Sequence, residues 1–451
     1  MVFRSTCRSI VLILLSFPYI ISAQWLETTV FVGRGPGALT YIYGMGKIYC
    51  ANRRNDNVSV IDGTTYGVMA TITVGDDPVA LVYSPVGYKV YCANERSDDI
   101  TVIDGTADSV ISTIAVGDIP RALLYNPLNN TVYCANFGSD DVTVIDCYTD
   151  AIITTLPVGE EPCAFAYNPV NRKIYCANRW SNDITVIEAP GNAVMNTISV
   201  GHNPVYLYYK YYNKVYCANF SSDNVSVIDG ATDEITATLD VGDGPCALDY
   251  NWMDSKIYCA NRLSDDVTVI NSAVDTVITH IVVGEQPNAL VHDEYWCKIY
   301  CANRGSNDVS VIGCWLDTVL TTISVGNEPI SLVINLHIYS RIYVANYYSS
   351  SVSVIRDEVG IEEDEKIATP PARNDIVVSP NPAKTWCTVT SAIPISSIRM
   401  YDILGAVALE DIALEGCLTK SLSLTGISAG VYFLKVDTPN SESIRKIVIT
   451  K

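Results

Sequence analysis

The stretch KIYCANR at residues 47–53 returns almost unchanged at 173–179, 256–262 and 298–304. Aligned on its central cysteine, the motif occurs seven times, and an eighth copy, YVAN, is centred on Val344. Successive copies lie 41 to 43 residues apart. The seven cysteines are Cys50, Cys92, Cys134, Cys176, Cys217, Cys259 and Cys301. A fixed period of this length predicts a protein built from one repeated structural unit.

Each unit contains four short runs of β-branched and aromatic residues separated by turn residues. In the third unit the runs are ALLY, TVYCAN, VTVID and IITTLPV. Four strands in about 42 residues are typical of a β-propeller blade, so we predict an all-β fold. Eight copies of a Val-Gly-x-x-Pro segment favour eight blades over the alternative of seven. The last copy lacks its fourth strand, and residues 25–33 supply a spare one that would close the ring.

The segment YCANRLSDDVTVINSAVDTVITHIVVGEQPNAL at residues 258–290 resembles the YVTN family of β-propeller repeats. The resemblance covers about residues 25–355. Cysteine and alanine stand where that family usually has valine and threonine, and eight copies stand where seven blades are common. The resemblance implies a surface-layer or other secreted or periplasmic propeller of a group whose functions are mixed, so the fold alone does not assign a function.

The repeat cysteines are predicted to be buried free thiols. Strand alternation places each of them between two blades, where equivalent positions are about 10 Å apart. That distance excludes both a disulfide and a shared zinc ion. The pairs Cys163/Cys176 and Cys246/Cys259 each span one hairpin, and the sequence leaves open whether they are bridged. Cys147 and Cys314 lie in equivalent turns four blades apart and are not expected to meet.

A second domain follows the propeller. Residues 356–375 are acidic and contain proline, which predicts a linker, and residues 376–451 read as a small β-sandwich. The motifs PNP at 380–382, MYDILG at 400–405 and SAGVYFLKV at 428–436 resemble the C-terminal sorting domain of type IX secretion, although Ala406 stands where a basic residue often follows. That resemblance implies delivery across the outer membrane by the type IX machinery. An Ig-like adhesion module is the alternative.

The first 23 residues have the layout of a secretory signal peptide, which leaves residues 24–355 for the propeller. Two arginines precede a short apolar run that ends in small residues; a retained membrane anchor is the alternative. No later stretch is long and apolar enough to cross a bilayer, so no membrane span is expected in the mature chain. The formal net charge of −20 argues against nucleic-acid binding.

The crossing loops and the Ser-Asp-Asp turns should emerge on one face of the propeller and form an acidic rim. Calcium is a candidate ligand there, although backbone turn chemistry explains the same residues and no cofactor is otherwise expected. The candidate metal ligands are Asp76, Asp77, Asp98, Asp99, Asp140, Asp141, Asp265 and Asp266.

The residue after each crossing proline should lie at the channel mouth. At two of these positions, four blades apart, the residue has a charged or amide side chain: Arg121 and Asn288. These two are therefore candidates to hold a ligand on the axis. The histidines show no ligand spacing and are not expected to bind metal: His202, His280, His292 and His337. No familiar catalytic motif is present, and we predict no catalytic residue.

Two functions remain open from the sequence. Near-identical blades favour a secreted or cell-surface binding or structural protein that engages protein, glycan or envelope material through one propeller face. The alternative is an enzyme, a lyase or an oxidoreductase, with its site at the channel mouth.

Overall fold

The computed structural model describes residues 22–42, 44–210, 213–335, 340–359, 377–379, 386–390, 395, 397–402, 407–412, 419–438 and 441–449. The chain divides into two compact units, residues 1–361 and 362–451. The predicted signal peptide lies almost entirely outside the described residues, and so does most of the predicted linker.

The first unit contains eight four-stranded antiparallel sheets, which confirms the prediction of eight blades. Blades 1 to 4 contain β2 (Pro36–Ile42), β3 (Lys47–Asn52), β4 (Asn57–Asp62) and β5 (Val68–Thr73); β6 (Pro78–Ser84), β7 (Lys89–Asn94), β8 (Asp99–Asp104) and β9 (Ser109–Ala115); β10 (Pro120–Asn126), β11 (Thr131–Asn136), β12 (Asp141–Asp146) and β13 (Ile152–Pro157); and β14 (Pro162–Asn168), β15 (Lys173–Asn178), β16 (Asp183–Glu188) and β17 (Ala193–Ser199). A single 3₁₀ turn in the described part of the chain spans Val86–Tyr88.

Blades 5 to 7 repeat this order. They contain β18 (Pro204–Lys210), β19 (Lys214–Asn219), β20 (Asn224–Asp229) and β21 (Glu234–Asp240); β22 (Pro245–Asn251), β23 (Lys256–Asn261), β24 (Asp266–Asn271) and β25 (Thr276–Val282); and β26 (Pro287–Asp293), β27 (Lys298–Asn303), β28 (Asp308–Gly313) and β29 (Thr318–Ser324). In each blade the first strand is innermost, and the first strands of neighbouring blades contact one another around the axis.

Blade 8 is completed by the start of the chain, as the sequence predicts. It contains β30 (Pro329–Asn335), β31 (Ser340–Asn346) and β32 (Ser351–Val359), and its outermost strand is β1 (Ser22–Phe31). The strands β1 and β32 are antiparallel, with Val30 opposite Val352. Strand β32 runs beyond the predicted boundary at residue 355. Pairing with β1 covers the outer edge of β32, so blade 8 has four strands like the other blades.

The repeat motif forms the second strand of each blade, and its alternation places the cysteine and the tyrosine in the interior. Tyr133, Cys134 and Asn136 are fully buried, and the same holds at the equivalent positions of the other blades. The Cys134 thiol donates to Oδ1 of Asn136 at 3.3 Å, and Nδ2 of Asn136 donates to Asp141 and Thr143. The asparagine therefore ties the second strand to the third, and the cysteine supplies its remaining partner.

The crossing glycine is fixed by close packing. A Cβ atom at Gly75 would lie 2.3 Å from Oγ of Ser97 and 2.7 Å from the side chains of Asn94 and Asp99. No side chain fits at that distance without displacing the asparagine and its partners. Glycine is therefore required in the Val-Gly-x-x-Pro segment because that segment packs directly against the asparagine of the YCAN strand.

Neighbouring blades are joined by a repeated polar latch. In blade 2, Lys89 lies 2.7 Å from Asp150 of blade 3, and Tyr91 donates to the same carboxylate at 2.7 Å. Equivalent lysine and aspartate pairs are Lys47–Asp108, Lys173–Asp233, Lys214–Asp275, Lys256–Asp317 and Lys298–Asp357. Each latch fixes the inner half of one blade to an outer turn or strand of the next.

The second unit contains two sheets. One consists of β33 (Val377–Ser379), β34 (Trp386–Thr390) and β37 (Thr419–Ser423), and the other has the order β36 (Val407–Ile412), β35 (Ser397–Asp402), β38 (Gly430–Thr438) and β39 (Ser441–Ile449). Side chains of both sheets share one buried cluster that includes Cys387, Met400 and Leu434. The arrangement is that of the predicted small sandwich.

None of the helices in the described residues has the length and apolar character that a membrane crossing requires.

Candidate functional site

A cavity of about 530 Å³ opens at the channel mouth, on the face that carries the crossing loops. Arg121 and Asn288, which the sequence places at the mouth, both line it. Arg179, Arg262 and Tyr206 line it as well, and the sequence reasoning did not select these three. The cavity therefore joins residues of blades 3 to 8 around the axis.

The partner of each arginine that follows a YCAN asparagine on this face lies at a fixed distance along the chain. The residue after the YCAN asparagine faces the crossing loop of the next blade, 24 residues further on. Where that loop carries an acid, the arginine is neutralised: Nε of Arg53 lies 2.7 Å from Asp77, and Nη2 of Arg304 lies 2.8 Å from Glu328. Arg53 also binds Glu95 at 2.6 Å.

Of the two arginines of this series that line the cavity, Arg179 contacts an amide, and Arg262 has an amide at the corresponding position of the chain. Nε of Arg179 donates to Oδ1 of Asn203 at 2.7 Å, and the residue 24 positions after Arg262 is Gln286. Arg121, from the innermost strand of blade 3, stacks its guanidinium 4.5 Å from the ring centre of Phe137. Among the described residues, these three arginines have no ion pair.

The channel mouth therefore carries three guanidiniums that have no ion pair among the described residues, in a strongly acidic chain. Burial lowers the pKa of Arg262, but a guanidinium stays charged at any physiological pH. Guanidinium groups bind carboxylates and phosphates through paired N–H donors. Three uncompensated guanidiniums around one cavity form a site that suits an anionic ligand.

Two thiols also line the cavity. Sγ of Cys163 lies 3.3 Å from the carbonyl oxygen of Pro204, and Sγ of Cys246 lies 3.3 Å from that of Pro287. Burial raises the pKa of each thiol to about 12. Since the thiolate is the nucleophilic form, these two cysteines are poor nucleophiles at neutral pH.

Shallow grooves extend from the cavity across blades 3 to 5. Arg179 lines both the channel cavity and a groove of about 540 Å³ that includes Trp180, His202 and Asn203. Trp180 also borders a second groove of about 340 Å³ beside Phe137. The Trp180 side chain is 69% exposed. Glu161 lines both grooves too, so the surface beside the cavity carries an exposed indole together with basic and acidic groups.

The predicted acidic rim is differently organised. Asp98, Asp140 and Asp265 accept hydrogen bonds at 2.8 to 2.9 Å from backbone N–H groups of the next crossing loop. Asp99, Asp141 and Asp266 accept from the YCAN asparagines, Asp77 binds Arg53, and the backbone N–H of Asp76 donates to Ser97. Seven of the eight carboxylates thus bond to backbone or side-chain groups of the propeller, while arginines line the mouth. The calcium site at these residues stays a prediction.

The cysteines of the repeat motif and of the two hairpin pairs form no disulfide among the described residues. Cys163, Cys176, Cys246 and Cys259 are free thiols, and the seven repeat cysteines are buried and free. Cys176 lies opposite Phe165, and the strand register on neither side of the bulge between Pro162 and Ala164 places it opposite Cys163. His280 contacts Thr268, and His337 lies outside the described residues.

His292, which the sequence offers no reason to treat as a metal ligand, lies beside two cysteines. His292, Cys297 and Cys314 are all buried, and their ligand atoms all lie within 4.8 Å of one another. Spacing along the chain gave no sign of this group, because three separate elements of blade 7 contribute to it. The sequence feature that could have indicated this group is the pair Cys297 and Cys314, which flank two paired strands of the same blade.

Comparison with known proteins supports the same architecture. A family model described as YNCE-like beta-propeller matches residues 18–298, more than half of the chain. The chain belongs to the YNCE-like β-propeller family. This confirms the resemblance to repeat propellers that the YCAN motifs carry. No curated protein matches this YNCE-like chain.

Solved structures show the fold alone, because their sequence identities to this YNCE-like propeller are low. The Saccharomyces cerevisiae protein Sqt1 has a TM-score of 0.67 at 9% identity, covering 74% of this chain and 99% of that one. The computationally designed Ika8 protein has a TM-score of 0.62 at 12% identity, with coverage of 74% and 99%. The dihydro-heme d1 dehydrogenase NirN has a TM-score of 0.58 at 12% identity, with coverage of 73% and 78%.

The second unit is identified independently. A family model described as a secretion system C-terminal sorting domain matches residues 377–450. This confirms the resemblance that the PNP, MYDILG and SAGVYFLKV motifs carry. The protein is therefore a β-propeller exported by the type IX machinery to the cell surface or the extracellular medium.

Proposed function

We propose that this exported propeller is a binding protein whose channel mouth takes a carboxylate-bearing glycan. The observation that carries the proposal is the set of three guanidiniums, Arg121, Arg179 and Arg262, which line one cavity without an ion pair among the described residues. Their N–H donors form no ion pair with a described carboxylate. A ligand with one or more carboxylates would satisfy them.

The aromatic side chains point to a sugar as the carrier of that charge. Tyr206 and Phe220 line the channel cavity, and Trp180 stands exposed beside the groove that continues from Arg179. Sugar rings present apolar C–H faces to aromatic rings and hydroxyls to polar groups. A cavity with grooves on one side fits an oligosaccharide better than a single small anion.

Binding without turnover is supported by the chemistry of the cavity. Its two thiols, Cys163 and Cys246, are protonated at neutral pH because burial raises the pKa of each to about 12. Arginines bind anions well and exchange protons poorly. The cavity is therefore equipped to hold an acidic sugar, and a nucleophile or base for its cleavage would have to come from elsewhere.

A panel of immobilised oligosaccharides tests the proposal. The purified protein should bind acidic glycans, such as oligogalacturonates, and leave neutral ones of equal length unbound. Mass spectrometry of each ligand after prolonged incubation separates binding from catalysis. Equal binding to neutral and acidic members would contradict the proposal, and shortened or oxidised products would favour the enzyme alternative.

A further inference from the structure

A second cluster of functional side chains lies in blade 7, at the face opposite the channel-mouth arginines. His292 is near the end of β26, Cys297 directly precedes β27, and Cys314 directly follows β28. The ligand atoms of all three lie within 4.8 Å of one another, and all three residues are buried. Among the described residues, it is the one group of three or more His, Cys, Asp or Glu side chains with that spacing.

The backbone holds the two cysteines opposite each other. They flank the paired residues Lys298 and Gly313, and the N–H of Cys314 donates to the carbonyl of Cys297 at 3.1 Å. The same hydrogen bond joins Asn130 and Cys147 in blade 3. At the equivalent positions of the described blades, blade 7 alone has two cysteines.

His292 is also a departure from the repeat. The sixth residue of the innermost strand is tyrosine in six blades, and in blade 7 it is histidine. Its Nε2 atom is buried and has no hydrogen-bond partner among the described residues. Buried ring nitrogens usually have a partner, so this one is available to a ligand. The histidine and the pair of cysteines together distinguish blade 7 from the other described blades.

The neighbouring blade supports the cluster. Nδ2 of Asn251, at the end of β22 in blade 6, donates to Sγ of Cys297 at 3.1 Å. Such a hydrogen bond orients a metal-bound sulfur and stabilises its negative charge. The cluster is thus formed by three residues of blade 7 and contacted by one residue of blade 6.

We propose that His292, Cys297 and Cys314 bind one Zn²⁺ ion. Two sulfurs and one imidazole nitrogen are a donor set that zinc favours over calcium or magnesium. Binding converts two thiols to thiolates and releases two protons, so the bound ion and its two sulfur ligands carry no net charge. The fourth position of a tetrahedral ion is left for a water molecule or a small ligand.

The site is independent of the proposed glycan function, since it lies on the other face and shares no residue with the channel cavity. The competing fate of the same side chains is a disulfide between Cys297 and Cys314, which an oxidising environment favours. That alternative gives His292 and Asn251 no role. The two states are distinguished by mass and by metal content.

The test measures metal in the full-length exported protein recovered from culture medium. Elemental analysis should give one zinc per chain, and replacement by Co²⁺ should give thiolate-to-metal charge-transfer absorption. His292→Gln and Cys314→Ser should each lose the ion. Cys147→Ser is the matched control, because Cys147 occupies the position of Cys314 in blade 3, and it should keep the ion. Asn251→Ala should weaken zinc affinity roughly 10- to 100-fold.

Two results would overturn the zinc site. One is a Cys297–Cys314 disulfide in the protein as exported, with Zn²⁺ failing to bind after its reduction. The other is zinc bound with equal affinity by the protein and by His292→Gln. The cobalt spectrum of the unmutated protein decides the question even where a variant fails to fold, since absence of the thiolate absorption excludes the cysteines as ligands.

Discussion

Nζ of Lys298 lies 2.7 Å from a carboxylate oxygen of Asp357, and both side chains are buried. The pair joins blade 7 to β32 of blade 8, and Tyr300 donates to the same carboxylate. Asp357 also accepts from Gln24 of β1, so one carboxylate ties the first and last strands of the propeller to its neighbour. It is the most buried of the interblade latches.

Asp357→Asn should destabilise the ring by about 3 kcal/mol or more, because it leaves the Lys298 ammonium buried without its counter-charge. Thermal unfolding followed by circular dichroism measures the change. Asp108→Asn is the matched control, since the Lys47–Asp108 latch is partly exposed. Its loss should be clearly smaller, and equal losses would contradict the role of burial.

Val344→Cys should stabilise the protein. In blade 8 this valine replaces the repeat cysteine, and Oδ1 of Asn346 is buried with no hydrogen-bond partner in the described part of the chain. In blade 3 the Cys134 thiol donates to the equivalent oxygen of Asn136 at 3.3 Å. The new thiol should add about 0.5–1 kcal/mol to the free energy of unfolding. Val344→Ala, which adds no donor, should lower it, and a Cys variant no more stable than the parent would contradict the account.

Lys210 should make stability depend on pH above neutrality. Burial lowers its pKa to about 8, and its Nζ donates to the carbonyl of Ser272 at 2.7 Å. Since the unfolded chain keeps a lysine pKa near 10.4, the unfolded state binds more protons between the two values, and this group's contribution to stability rises with pH across that window. Comparing the melting temperatures of the parent and Lys210→Met at pH 7.5 and 9.5 isolates it. An unchanged difference would contradict the lowered pKa.

Arg262→Gln and Arg179→Gln should each weaken binding of an acidic oligosaccharide roughly 10- to 100-fold, because each removes a charged donor from the cavity. Arg304→Gln is the matched control, since Glu328 already neutralises Arg304 on the same face. Fluorescence titration with labelled trigalacturonate gives the affinities. Equal losses in all three variants would indicate a general charge effect and not a site.

Trp180→Ala should weaken the same ligand by roughly 3- to 10-fold through lost stacking. Trp315 provides the comparison: it is 70% exposed where Trp180 is 69% exposed, and it follows β28 at the other face. Trp315→Ala should leave affinity unchanged. A loss at Trp315 that matches the loss at Trp180 would place the ligand elsewhere.

The period of the repeat was sufficient to predict the propeller, its eight blades and its closure, because these follow from strand spacing along the chain. Residues 356 and 357 were assigned to a linker since RDEVG is polar, whereas the structure buries Asp357 against Lys298. A polar residue in a strand is indistinguishable from a linker residue until its partner, 59 positions away, is known.

The channel mouth was predicted in part. Arg121 and Asn288 could be placed there because both follow a crossing proline. Arg179 and Arg262 were not selected, because the sequence alone did not show which residue of the next crossing loop each arginine meets. The contact between an arginine and the residue 24 positions later becomes visible only when adjacent blades are brought together.

The most direct test of the central claim is calorimetric titration of the purified protein with trigalacturonate and with its methyl ester. The two ligands share every sugar ring and differ in charge. The arginine-lined site predicts saturable binding of the acid, weakened by added salt, and at least tenfold weaker binding of the ester. Equal affinity for both, or no binding of either, would contradict the claim that the channel mouth recognises an acidic glycan.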